Sequence, residues 1–251
     1  VWKVCCGYRH TALITTTGLL LTFGHGETGR LGHGNEDSLD APRVVEFFAE
    51  QDEAIISVGC GREHTMAATA AGELYSWGWG EAGRLGIGET GVMASPQRVE
   101  ELDRLEVRAL AVACGREHSL IICEGGGLLA CGAGYEGRLG LGNQDDALVP
   151  RRVSSGALDH DNVVLAAAGE MHSVALGESG QVYTWGFGGS GARRPRGVRH
   201  AGAAADGERA ADGLRGGGGG RGRGLRHIPH HGAQRAREPV RVRRRAERPA
   251  G

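Results

Sequence analysis

The 251-residue chain has 46 glycines, 40% hydrophobic residues, 5% aromatic residues and a formal net charge of −1. No apolar run approaches the ~18 residues of a membrane span, and Val1-Trp2-Lys3-Val4-Cys5-Cys6 has neither a basic start nor a signal-type apolar stretch. These features speak against a transmembrane or plainly secreted protein, and the opening on Val1 reads as a start inside a longer protein.

The near-zero charge hides two different polymers. Residues 1–191 carry 13 Lys plus Arg against 25 Asp plus Glu, whereas residues 192–251 carry 16 against 5. The second segment is 16 Arg, 13 Gly and 11 Ala among its 60 residues, without Phe, Trp or Tyr. With so little to bury it cannot offset its ordering entropy, so a disordered low-complexity tail is expected there. Cys5, Cys6, Cys60, Cys114, Cys123 and Cys131 all lie upstream and form no Cys-x-x-Cys pair. Reduced thiols in a core and an intracellular setting, cytoplasm or nucleus, are the expectation.

An internal repeat dominates residues 1–191. His10, His64, His118 and His172 recur every 54 residues, and the same interval holds for Gly7, Gly61, Gly115 and Gly169 and for Gly24, Gly78, Gly132 and Gly186. Pro42, Pro96 and Pro150 keep it too. Within one unit the predicted elements run in order: strand Ile55–Val58, strand His64–Thr69, a turn at Ala70–Gly72, strand Glu73–Trp77 and strand Gln97–Val99. Glu46–Glu50 is the one stretch expected to form a short helix. Four short strands repeated at a fixed period predict the antiparallel blades of a β-propeller, an all-β fold.

The units read Gly-x-x-His-[Thr/Ser] followed by Gly-x-Gly-x-x-Gly-Arg-Leu-Gly-x-Gly, complete at Gly24–Gly34, Gly78–Gly88 and Gly132–Gly142 and stopping at Gly186-Phe187-Gly188. The pattern resembles the repeats of the regulator of chromosome condensation family, which implies a seven-bladed propeller. About three and a half units fit before the pattern ends near Gly191. A partial propeller over residues 1–191 is therefore expected, one that self-associates through its open ring or is completed by sequence outside this chain. The abrupt change of composition suggests that residues 192–251 are an altered reading frame.

Several motifs invite stronger readings. Gly24-His25-Gly26-Glu27-Thr28-Gly29 and its two copies satisfy a dinucleotide fingerprint, but the punctuators that follow, such as Gly32 and Gly34, prevent a helix from starting. The glycines then supply turns and close blade packing, and no cofactor is expected. The four histidines could suggest a metal ring. Each instead sits between a glycine turn and an apolar strand, with no carboxylate or Cys holding a matching column near it in every unit, and reads as a structural histidine bridging strands. The Cys6, Cys60, Cys114 and Ala168 column reads as core packing, and Trp77, Trp79 and Trp185 as packing between blades.

The pair between Gly and His varies: Tyr8-Arg9, Arg62-Glu63, Arg116-Glu117 and Glu170-Met171. On a propeller these turns recur on one end face, forming an arc of alternating charge suited to a protein partner; a solvated loop is the alternative. In light-sensing members of the family the motif reads Gly-Trp-Arg-His-Thr, which Gly7-Tyr8-Arg9-His10-Thr11 matches with Tyr for Trp.

The leading reading is a non-enzymatic protein-interaction module. The resemblance adds a guanine-nucleotide exchange factor for a Ran-like small GTPase as the alternative, and the constant 54-residue spacing leaves no insertion between blades for that role. A third class is nucleic-acid or chromatin binding through Arg215-Gly216-Gly217 and Arg221-Gly222-Arg223-Gly224 of the basic tail.

Overall fold

The computed structural model describes residues 1–154, 156 and 158–188, together with the backbone of 198–200. All of them fall in one compact unit, Val1–Glu208. The expected tail, apart from that short backbone stretch, lies outside the described residues.

Sixteen described strands form four four-stranded sheets, each a propeller blade. Blade 1 contains β1 (Lys3–Cys6), β2 (His10–Ile14), β3 (Leu20–Gly24) and β4 (Leu39–Val44). Blade 2 contains β5 (Ile55–Cys60), β6 (His64–Thr69), β7 (Leu74–Trp79) and β8 (Val92–Arg98). Blade 3 contains β9 (Ala109–Cys114), β10 (His118–Cys123), β11 (Leu128–Gly132) and β12 (Ala147–Arg152). Blade 4 contains β13 (Val163–Ala168), β14 (His172–Gly177), β15 (Val182–Gly186) and β16 (Val198–His200).

The first three blades are antiparallel throughout. Blade 4 departs from the expectation, because its outer strand β16 runs parallel to β15 and comes from the segment read as tail. The helix at Glu46–Glu50 is present as α1 (Glu46–Ala49), and a second four-residue helix, α2 (Glu101–Arg104), follows β8.

The hydrophobic cores lie between blades. Ala12, Ile14, Leu20, Val45 and Phe48 of blade 1 meet Ile55, Val58, Tyr75 and Trp77 of blade 2. Met66, Leu74 and Leu102 of blade 2 meet Val112, Ile121 and Leu129 of blade 3, and Leu120, Leu128 and Leu139 of blade 3 meet Val163, Tyr183 and Trp185 of blade 4. Successive strand residues point to opposite faces, so a blade with neighbours on both sides buries both sets of side chains. All six residues of β6 and of β10 are buried accordingly.

The 54-residue columns have a geometric cause. Each histidine pairs across the sheet with a glycine: His10 with Gly24, His64 with Gly78, His118 with Gly132 and His172 with Gly186. Those glycines have φ between 94° and 111°, and a Cβ on Gly78 would sit 2.4 Å from Glu63 O. A side chain there would both strain the backbone and push the loop carbonyl away.

Candidate functional site: the end-face groove and its loops

The turns between the first and second strands of all four blades converge on an open groove of ≈ 420 Å³. It is lined by Cys6, Cys60, Cys114 and Ala168, by the glycines that follow them, and by Tyr8, Arg62, Arg116 and Glu170. The cysteine column packs as expected at three of its positions, Cys60 within one interblade core and Cys114 and Ala168 against the other two, while also lining the groove; Cys6 is exposed.

Backbone hydrogen bonds step from blade to blade along this wall. The amides of Tyr8, Arg62 and Arg116 donate to Gly61 O, Gly115 O and Gly169 O at 3.2, 3.3 and 3.1 Å. The second residue of each turn is fixed through its carbonyl: Arg9, Glu63, Glu117 and Met171 accept from His25, Trp79, Ala133 and Phe187 at 2.8–2.9 Å. The turns are thus rigid platforms that differ in the side chains they carry.

Those side chains do not form a run of free alternating charge. Glu63 and Glu117 turn inward to buried guanidinium groups, Glu63 to Arg30 at 3.7 Å and Glu117 to Arg138 at 3.2 Å. Arg116 pairs with Glu117 at 3.6 Å and also with Glu170. What remains is a cationic end around Tyr8. The Arg9 and Arg62 guanidinium carbons lie 5.3 and 5.6 Å from its ring centre, within cation–π range. Among the described residues neither arginine has a carboxylate at ion-pair distance. Met171 adds only a thioether and its pinned carbonyl to the opposite end.

Arg30, Arg84 and Arg138, the arginines of the Gly-Arg-Leu-Gly segments, are functional to the architecture, and the sequence reading did not single them out. All three are buried. Each folds back on its own turn, Nε donating to Glu27 O, Glu81 O and Tyr135 O at 2.6, 2.8 and 3.0 Å. Burial lowers the Arg30 pKa, and Glu63 and Glu27 oppose that shift. Their recurrence every 54 residues was the available signal; an arginine among glycines otherwise reads as solvent-facing.

The histidines form a relay across the blade boundaries. His10 Nε2 lies 2.9 Å from Thr65 Oγ1, His64 Nε2 2.9 Å from Ser119 Oγ, and His118 Nε2 2.8 Å from Ser173 Oγ. Each hydroxyl donates to a main-chain carbonyl of the preceding blade, at Arg30, Arg84 and Arg138. With its proton committed, the hydroxyl must accept from the imidazole, which assigns the Nε2–H tautomer. Gly7, Gly61 and Gly115 make room for the rings: a Cβ on Gly61 would lie 2.2 Å from His64 Cε1. Burial, then the nearby Arg30, pushes the His10 pKa down to about 4, and burial, then Arg138, pushes that of His118 to about 3. His64 is also driven well below the usual range, chiefly by burial. His172 heads β14 on an exposed face, where no fifth blade supplies a hydroxyl among the described residues.

The Gly-x-Gly-x-x-Gly segments form three-residue 3-10 turns with a left-handed central residue, Thr28, Ala82 or Glu136, so no helix extends from them. Among the described residues no group of three or more His, Cys, Asp or Glu is placed to hold a metal ion, and no helix is long and apolar enough to cross a membrane.

Comparison with known proteins agrees with this architecture. The model of the Regulator of chromosome condensation (RCC1) repeat matches residues 17–68, 71–122 and 125–176, and a second model of the same repeat matches 55–84 and 110–138. Each of the longer matches begins near the second turn of one blade and ends inside the second strand of the next, so a sequence unit ties two blades together. The chain is 35% identical over 186 residues to the ultraviolet-B receptor UVR8 of Arabidopsis thaliana, covering 74% of this chain and 41% of the receptor. It is 36% identical over 182 residues to the human E3 ubiquitin-protein ligase HERC2, covering 72% of this chain and 4% of the ligase. Prp20p of Saccharomyces cerevisiae, solved in a study of its binding to Gsp1p and histones, superposes with a TM-score of 0.61 at 24% identity, over 69% of this chain and 42% of that one. The chain thus spans less than half the length of these proteins.

Proposed function

The chain belongs to the regulator of chromosome condensation (RCC1) repeat family, and on that premise we propose that it is a non-enzymatic propeller module whose end face, centred on Tyr8, Arg9 and Arg62, binds a protein partner. One observation carries this reading: on turns otherwise neutralised by internal ion pairs, Arg9 and Arg62 flank one exposed tyrosine at the rim of a groove. Tyrosine and arginine are the residues that most often anchor protein interfaces. Guanidinium groups with no carboxylate at ion-pair distance among the described residues are complementary to carboxylates on the other side.

Charge reversal tests it. The R9E/R62E variant of the full chain should recover at least tenfold less of the partner crosslinked to the wild type in intact cells. R43E, on the exposed outer strand β4, should recover as much as the wild type. Equal recovery by R9E/R62E would overturn the reading.

The second reading, exchange on a Ran-like GTPase, draws on the likeness to Prp20, the yeast RCC1. GDP release from a panel of such GTPases decides it, and unaltered release removes it. Nucleic-acid binding would involve residues outside the described ones; deleting 192–251 should abolish it if that segment is responsible. Cytoplasm or nucleus is the compartment this role calls for.

A further inference from the structure

We propose that Cys5 and Cys60 are a redox-active pair, a modification site at which a hydroperoxide is reduced and blades 1 and 2 become covalently joined. The pair lies across the first blade boundary. Lys3 and Cys5 share one face of β1 and look toward β5, where Lys3 Nζ donates to Ser57 Oγ at 3.1 Å. The Cys60 amide donates to Cys5 Sγ at 3.2 Å, and Cys60 Sγ lies 3.6 Å from Cys5 O. Both cysteines are free thiols.

Two features separate this pair from ordinary core cysteines. The repeat does not require it: the columns of Cys5 and Cys60 hold Gly59 with Cys114 at the second boundary and Ala113 with Ala168 at the third. Packing at those boundaries is achieved without facing thiols. The environment is also activating. A hydrogen bond from the Cys60 thiol, with smaller help from the Cys60 amide and the Lys3 ammonium, lowers the Cys5 pKa to about 6 against the opposing effect of burial. The Cys60 thiol is pushed up by the same contact, so Cys5 is the thiolate and Cys60 retains the proton. Burial pushes Cys123 and Cys131 up to about 11 and 12, leaving them inert at neutral pH. Cys60 lines the solvent-open groove, which gives a small oxidant a route to the pair.

The chemistry balances with a hydroperoxide as the oxidant. The Cys5 thiolate attacks the terminal peroxide oxygen; an S–O bond forms, the O–O bond breaks, and the departing alkoxide or hydroxide takes a proton from water. The Cys60 thiol, deprotonating as it attacks, then displaces hydroxide from the Cys5 sulfenic acid. An S–S bond forms and water leaves. The two sulfurs together lose two electrons and the peroxide gains them.

The test treats the full chain with hydrogen peroxide and maps its thiols by non-reducing peptide mass spectrometry. The expected product is a Cys5–Cys60 linked peptide lighter by two hydrogens than its reduced parts. C60S, which keeps a hydrogen-bond donor beside Cys5 but offers no second thiol, should leave a sulfenic acid on Cys5 that dimedone captures, and C5A should leave Cys60 reduced. C5A is a mild change, because Ala113 and Ala167 occupy the same column. Before oxidation, Cys5 should alkylate with iodoacetamide at neutral pH at least about tenfold faster than the more exposed Cys6. Oxidation confined to Cys6, a Cys60–Cys114 link, or the same Cys60 oxidation in C5A would each overturn the proposal.

Discussion

Blades 2 and 3 are built from the same repeat as blades 1 and 4, yet they bury both faces where the terminal blades bury one. The second strands show the difference. β6 and β10 are buried at every residue. In β2 the buried positions are His10, Ala12 and Ile14, whereas in β14 they are Ser173, Ala175 and Gly177, the opposite phase. Blade 1 meets its neighbour with one set of alternating residues and blade 4 with the other. A blade therefore has two different faces, and stability resides in the boundaries between blades.

The largest test of this comparison sets two members of one column against each other. Trp77 is fully buried at the first boundary, against Phe48 and with Nε1 donating to Arg30 O at 3.0 Å. Phe23 holds the same position on the open face of blade 1, where it is only partly buried. Trp77→Ala should cost about 3–5 kcal/mol in denaturant unfolding, and Phe23→Ala should cost about 1 kcal/mol or less. Equal losses would mean that the boundary does not set the stability.

Much of this was legible in the sequence. The 54-residue columns located the strands, the glycine turns and the blade count, because local backbone geometry imposes those residues in every copy. The roles of Arg30, Glu63 and Glu117 were not legible. Whether a carboxylate in a turn faces solvent or neutralises a buried guanidinium depends on how two blades stack, and Arg30 and Glu63 belong to different blades. The Tyr8–Arg62 contact and the facing of Cys5 toward Cys60 escaped for the same reason. The parallel β16 had no signal at all, since it lies beyond the last recognisable repeat.

Acid sharpens the comparison next. The boundary histidines have folded pKa values depressed below the ordinary 6.5, to about 4 for His10 and about 3 for His118, chiefly by burial. The unfolded chain thus takes up protons that the folded chain refuses. Their contribution is complete above pH 6.5, and it is lost as pH falls toward the folded values. The slope is about 1.4 kcal/mol per pH unit for each such histidine. Denaturant midpoints measured from pH 7 down to pH 4 should show that fall, and His118→Gln should flatten it by roughly one histidine's share. A slope unchanged in His118→Gln would refute the neutral relay.

The smallest effect separates the two kinds of turn carboxylate. Glu63 is mostly buried and faces Arg30, whose side chain is 2% exposed, so Glu63→Gln leaves a guanidinium short of its counter-charge in a place water hardly reaches. A loss of about 1–3 kcal/mol is expected. Glu170 also pairs with an arginine, but both partners are exposed, Glu170 at 58%. Water replaces such a partner at little cost, and Glu170→Gln should change stability by about 0–1 kcal/mol. Raising the salt concentration should shrink the Glu170 effect while leaving most of the Glu63 effect, because ions screen the exposed pair and cannot enter the boundary. If both losses respond to salt alike, Glu63 faces solvent as Glu170 does. Its carboxylate would then join the binding face, and Arg62 would no longer stand beside a turn whose acid is already committed.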